Sequence, residues 1–234
     1  MFKNLPYLSL HEHRLILSTV RDPLVQSFIY ELIIQRCIKE RYSILMVLLN
    51  QNLHHYKSVL SKRGVNLNTF IDQGLVQIID TIDISNLDCF DPDCFIEEFQ
   101  NKLMKLSNEN KKIILIDDIA IFDILGLSMK KTYLILNEID RLISGRKCSL
   151  FLGASIVRDV KWNELIQIYL HKCDLWLDID RPKTGYSQQI NGLVECHSRR
   201  TDLPPLSSKL NFRINNRNIT FNEMSTGKSY LELI

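Results

Sequence analysis

Two adjacent carboxylates, Asp117 and Asp118, close the apolar run Ile113-Ile114-Leu115-Ile116, which reads as a strand buried on both faces. Ligands of open α/β sheets sit at the C-terminal ends of such strands, so carboxylates there could hold a divalent cation beside a bound phosphate. That chemistry has further requirements: backbone N–H groups brought close to the phosphates by glycines, a lysine that reaches them, and a Ser or Thr for magnesium. The connection leaving the first strand, Ser18-Thr19-Val20-Arg21-Asp22-Pro23, holds neither glycine nor lysine, and Asp22 would repel a phosphate. The dinucleotide fingerprint G-x-G-x-x-G and the glycine-rich turn of a methyl-donor site are missing for the same reason. Near the other end, Ser225-Thr226-Gly227-Lys228-Ser229 contains Gly-Lys-Ser, but the residue at 222 is Asn where a phosphate loop has its first glycine. Asp117 and Asp118 are therefore expected to be the remains of a metal site, or strand-end carboxylates satisfied by neighbouring groups. No cofactor and no bound metal are expected.

Other side chains that could do chemistry are poorly arranged for it. His54 and His55 are successive residues of a helix and point about 100° apart, unlike the i, i+4 pair that grips a metal. No G-x-S-x-G elbow occurs. The six cysteines, at 37, 89, 94, 148, 173 and 196, form no C-x-x-C pair and no finger-like spacing with histidine, which fits buried free thiols.

The elements that must position the two aspartates alternate between strand and helix. Arg14–Thr19, Ser43–Leu49, Leu75–Asp80, Ser149–Ala154 and Cys173–Ile179 read as strands in addition to the run ending at Asp117. Asp22-Pro23 and Asp91-Pro92 are N-cap and N1 pairs, each followed by helical apolar spacing, and further helices are predicted over 52–63, 129–143 and 161–170. Gly64 stands where the 52–63 helix needs a left-handed terminator. The last part changes character: Asn191-Gly192 predicts a hairpin joining 187–190 to 193–196, and alternation around Asn216-Arg217 pairs 214 with 219 and 212 with 221. The chain thus reads as a single domain over 1–234, with an α/β core at 1–180 and a hairpin extension of the same sheet at 181–234.

Composition is that of an ordinary globular protein, 45% apolar and 24% charged. No run approaches a membrane span, and no basic, apolar, small-residue leader opens the chain, so an intracellular protein is expected. The net charge of +2 hides an asymmetry: 8 basic against 4 acidic residues after position 180, and 21 against 23 before it. A polyanion should prefer the later part.

Taken together, a RecA-like pattern, the strand ending IILIDD, the absent phosphate loop and the hairpin-rich ending resemble the Elongator complex protein 6 family. Further similarity lies in His55-Tyr56-Lys57, Lys62-Arg63-Gly64-Val65-Asn66-Leu67, Gly74-Leu75-Val76, Thr184-Gly185-Tyr186, Gly192, Phe212-Arg213-Ile214 and Thr220-Phe221. The resemblance spans about residues 1–230 and implies a RecA-like three-layer fold, a mainly parallel sheet with antiparallel C-terminal hairpins. It further implies a non-catalytic subunit that forms a hetero-hexameric ring with the fourth and fifth Elongator proteins, two copies of each. Such a ring binds tRNA and works with the catalytic Elongator subcomplex, which modifies the wobble uridine U34, in the cytoplasm and with the nucleus as a second compartment. In that ring geometry Phe2, Leu5, Tyr7 and Leu8 would form an arm onto a neighbour. Arg158 and Lys161 are first candidates for tRNA phosphate contact, and Lys183, Arg199 and Arg200 are second. The rival reading is a degenerate recombinase-like paralogue serving as a scaffold in DNA repair.

Overall fold

A computed structural model describes residues 10, 12–21, 27–81, 90–106, 110–156, 160–182, 190–199, 206–215 and 218–223. The parallel strands are β1 (Leu15–Val20), β2 (Ser43–Leu48), β3 (Val76–Asp80), β4 (Lys112–Asp117), β5 (Cys148–Ser155) and β6 (Leu175–Asp180). Three antiparallel strands follow: β7 (Gly192–Ser198), β8 (Leu206–Ile214) and β9 (Ile219–Glu223). Among the described residues they make one nine-stranded sheet in the order β3-β2-β4-β5-β1-β6-β7-β8-β9.

Helices cover both faces. α1 (Ser27–Lys39), α2 (Leu53–Lys62) and α3 (Leu67–Asp72) lie on one side; α4 (Pro92–Lys105), the single turn α5 (Ile121–Ile124), α6 (Met129–Ile143) and α7 (Val160–Lys172) lie on the other. β4 shows why its sequence is apolar throughout: Ile113 and Leu115 belong to the α1–α2 core, Ile114 and Ile116 to the α4–α7 core. The α1 residues Phe28, Ile29, Leu32, Ile33 and Cys37 are all buried, and Phe28 stacks on Phe212 of β8 at 4.3 Å, so α1 also closes the antiparallel extension. The opposite face of β7 and β8 carries Glu195, His197, Ser207 and Lys209. This is the usual outcome when one side of an antiparallel sheet meets water.

Several local signals act as their chemistry dictates. Asp91 accepts from Asp93 N at 2.9 Å with Pro92 at the first helical position, and α6 spans the predicted 129–143 under a Ser128 cap. Gly64 has φ +79°, which terminates α2. Ile214 pairs with Ile219 and Phe212 with Phe221 in the predicted register. The Asp22 cap, the Phe2–Leu8 arm and the Gly-Lys-Ser segment lie outside the described residues.

Of the hairpin predicted at Asn191-Gly192, residues 187–189 lie outside the described residues, and the strand that begins at Gly192 offers it no free edge. Both edges of β7 are taken: Val194 faces Ile179 of β6 and Leu210 of β8, and the neighbouring residues continue both ladders. Gly192 is needed for close approach instead, because a Cβ there would lie 2.2 Å from Phe212 Cζ. Asn191 extends the β7–β8 ladder, donating its N–H to Phe212 O at 2.9 Å and accepting from Ile214 N at 2.7 Å through its side chain. Cys37, Cys173 and Cys196 are buried thiols, whereas Cys94 is exposed. No helix among the described residues is long and apolar enough to cross a membrane.

Candidate functional site

In this strand order, β1 and β2 are followed by helices on one face, and β4 and β5 by helices on the other. The crevices between β2 and β4, and between β5 and β1, are therefore the places where a ligand would enter. Asp117, at the end of β4, fills the first. Its Oδ1 accepts from the backbone N–H groups of Leu49 and of Asn50 (3.0 Å), and its Oδ2 accepts from Gln51 N–H (3.3 Å) and from the Tyr56 hydroxyl (2.8 Å). The β2–α2 connection thus wraps around one carboxylate. Asp80, at the end of β3, accepts from Leu53 N–H at 2.9 Å and anchors the start of α2.

Asp117 is fully buried, and burial pushes its carboxyl up to about 7, while the three N–H groups and the phenol pull the other way. The carboxylate in turn helps hold the Tyr56 phenol well above its usual range, after burial itself. Asp118 turns the other way. Its φ of +67° is the left-handed conformation that Asp tolerates, and it aims the side chain at β5. There it accepts from Ala120 N–H and Ser155 N–H, both at 3.0 Å, and from the Ser155 hydroxyl.

The second crevice is closed by an aromatic residue. A Cβ on Gly153 would lie 1.6 Å from the Tyr30 hydroxyl oxygen, so the phenol of α1 occupies the space that a side chain on β5 would take. Beside it, Glu31 and Arg63 form an ion pair at 2.6 Å with side chains only 5% and 8% exposed, and burial raises the Glu31 carboxyl against the pull of Arg63. At the end of β1, Trp176 Nε1–H donates to Thr19 Oγ1 at 2.8 Å, and that hydroxyl donates to Asp178 at 2.9 Å. Arg21 reaches Asp180 at 2.9 Å and Asp178 at 3.4 Å.

These groups do not fit magnesium and a nucleoside triphosphate. Asp117 already takes four donors and Asp118 three, Tyr30 fills the space beside β5, and the sequence after β1 supplies no glycine or lysine. What the arrangement does chemically is lock the strand ends to the connections above them. Sequence reasoning placed the two aspartates but missed Tyr30, Tyr56, Gly153 and Ser155. Tyr56 falls inside the predicted 52–63 helix, but its hydroxyl partner lies 61 residues away.

Of the candidate tRNA contacts, Arg158, Lys183 and Arg200 lie outside the described residues. Lys161 falls in the first turn of α7, and its side chain is outside them too. Arg199 has a structural partner. It donates to Leu170 O near the C-terminus of α7, and its guanidinium lies 6.0 Å from the centre of the Trp176 ring.

The sequence matches no family model and no curated protein. Among solved structures, a KaiC-like protein of the archaeon Pyrococcus horikoshii OT3 is similar over 89% of both chains, with a TM-score of 0.68 and 13% identity. An uncharacterized protein of Pyrococcus horikoshii, solved with an unknown peptide, is similar over 91% of this chain and 93% of that one, with a TM-score of 0.67 and 13% identity. The chain has a RecA-like fold. Identity this low carries the architecture alone, so what the fold is used for has to be argued from the residues.

Proposed function

We propose that this chain is a non-catalytic RecA-like subunit of the Elongator complex. It assembles with the fourth and fifth Elongator proteins into a hetero-hexameric ring that binds tRNA and supports modification of the wobble uridine. The observation that carries this reading is the state of the two strand-end carboxylates: Asp117 and Asp118 are engaged by the chain's own N–H and hydroxyl groups. A RecA-like subunit whose crevices are closed in this way contributes shape and surface, and the chemistry belongs to a partner.

The family resemblance supplies the identity of the ring and its tRNA ligand. The fold supplies compatible geometry, since RecA-like units pack side by side and leave strand-end loops facing neighbours and the pore. Tagging the chain in its native cells and identifying what co-purifies tests the reading. Recovery of the fourth and fifth Elongator proteins in equal amounts is expected. Recovery of recombination proteins without Elongator subunits would overturn it in favour of a repair scaffold.

A further inference from the structure

Two helices of the sheet's second face, α4 and α6, hold an open groove of about 660 Å³ between them. The α4 wall is the stripe Asp93, Ile96, Glu97 and Gln100, spaced i, i+3, i+4, i+7 along one side of that helix. Ile96 is half-buried, and Asp93 and Glu97 are exposed. The α6 wall repeats the spacing with Lys131, Leu134, Ile135 and Glu138. Ile135 is buried and makes the floor, whereas Leu134 is 55% exposed, a large apolar side chain left in water. From Pro92 to Gln100 the groove follows roughly 12 Å of helix, a little over two turns. Its charge is one-sided. Asp93 and Glu97 make no ion pair among the described residues, and Lys131 is the single cation on the lining. Glu138 is held by Arg141 of its own helix at 2.8 Å, an exposed pair that water screens.

We propose that the α4–α6 groove docks a basic amphipathic helix of a partner protein. An apolar floor between two helices receives such a helix through side chains at its own i, i+3, i+4 and i+7 positions, and Ile96, Leu134 and Ile135 supply the floor. The carboxylates of Asp93, Glu97 and Glu138 select Lys and Arg on the flanks of the incoming helix. Charge also argues against the other occupants. A second copy of this chain in a two-fold pair would set the same carboxylates against one another, and a nucleic acid or an anionic lipid surface meets the same repulsion. The groove runs along the helices and away from the strand-end crevices, so the inference rests neither on the ring nor on its tRNA.

The test is fluorescence anisotropy of the full chain with a labelled synthetic peptide of about 18 residues, Leu at i, i+3, i+4 and i+7 and Lys or Arg elsewhere. A second peptide of the same composition has its Leu residues spread evenly round the helix. The amphipathic peptide should bind about tenfold more tightly than the scrambled one. Leu134→Gln should weaken it about fivefold, since the exposed half of Leu134 is what the peptide covers. Glu97→Lys should weaken it about threefold or more, by an amount that shrinks as salt rises. Asp72→Lys, an equal reversal at the end of α3 on the opposite face, should leave the affinity unchanged. If circular dichroism shows Glu97→Lys unfolded, Glu97→Gln gives the same reading with a loss of about twofold. Failure of the amphipathic peptide to bind, equal affinity for the two peptides, or equal affinity of the parent, Leu134→Gln and the Glu97 variant would overturn the proposal. So would sedimentation showing pairs of this chain that Leu134→Gln dissolves, which would assign the groove to a second copy.

Discussion

Replacing Asp117 by alanine leaves the N–H groups of Leu49, Asn50 and Gln51 and the Tyr56 hydroxyl without their acceptor. Asn50 and Gln51 are half-buried and can turn to water, but Leu49 and Tyr56 are buried. At roughly 1–3 kcal/mol for each of these two buried donors left unsatisfied, the loss should be about 2–6 kcal/mol. The carboxylate carries its own cost, which gives a second readout. Its pKa is about 7 in the fold against an ordinary 3.8, so the folded state holds the proton through that window and the unfolded state does not. Stability from this group is therefore complete at low pH and is lost as pH rises through about 7. Between pH 5 and 8 the loss integrates to roughly 2–3 kcal/mol. Glu31, also raised by burial, adds a slope of the same sign, so the comparison must be between the parent chain and Asp117→Asn, which cannot ionise. Urea unfolding followed by circular dichroism at pH 5 and pH 8 measures both effects. The parent should lose more stability than Asp117→Asn over that interval. An alanine variant within about 0.5 kcal/mol of the parent, or identical slopes for parent and asparagine variant, would refute the reasoning.

Three further outcomes follow from the same contacts. Gly153→Ala should destabilise by about 2–4 kcal/mol through its clash with the Tyr30 ring, and Gly153→Ala/Tyr30→Leu should recover part of the loss in a double-mutant cycle of thermal unfolding. Arg63→Ala strands the buried Glu31 charge and should cost about 3–5 kcal/mol in urea unfolding, whereas Arg63→Met/Glu31→Leu should cost less. Arg199→Ala should lower stability by about 1–2 kcal/mol because Leu170 O loses its donor, and Arg199→Lys should restore little, since an ammonium does not reproduce the guanidinium's forked donors.

The legible parts of the fold were those written in local alternation or capping chemistry. Leu210, Phe212, Ile214, Ile219 and Phe221 fix their own register because only one pairing puts all of them on a single face. Asp91-Pro92 and the 129–143 helix declare themselves in the same way. Asn191-Gly192 misled because its turn propensity is local, while the pairing of β7 is set by two strands that enclose it, β6 and β8. The candidate site was half legible. A carboxylate pair after IILI is visible, but its donors come from the β2–α2 connection 66 to 68 residues away, and only the parallel pairing of β2 with β4 brings them together.

The most direct test of the central claim is co-expression of this chain with the fourth and fifth Elongator proteins, followed by native mass measurement. The account predicts a complex containing two copies of each of the three chains. A chain that stays apart from both partners at micromolar concentration, alone or paired only with itself, would contradict it.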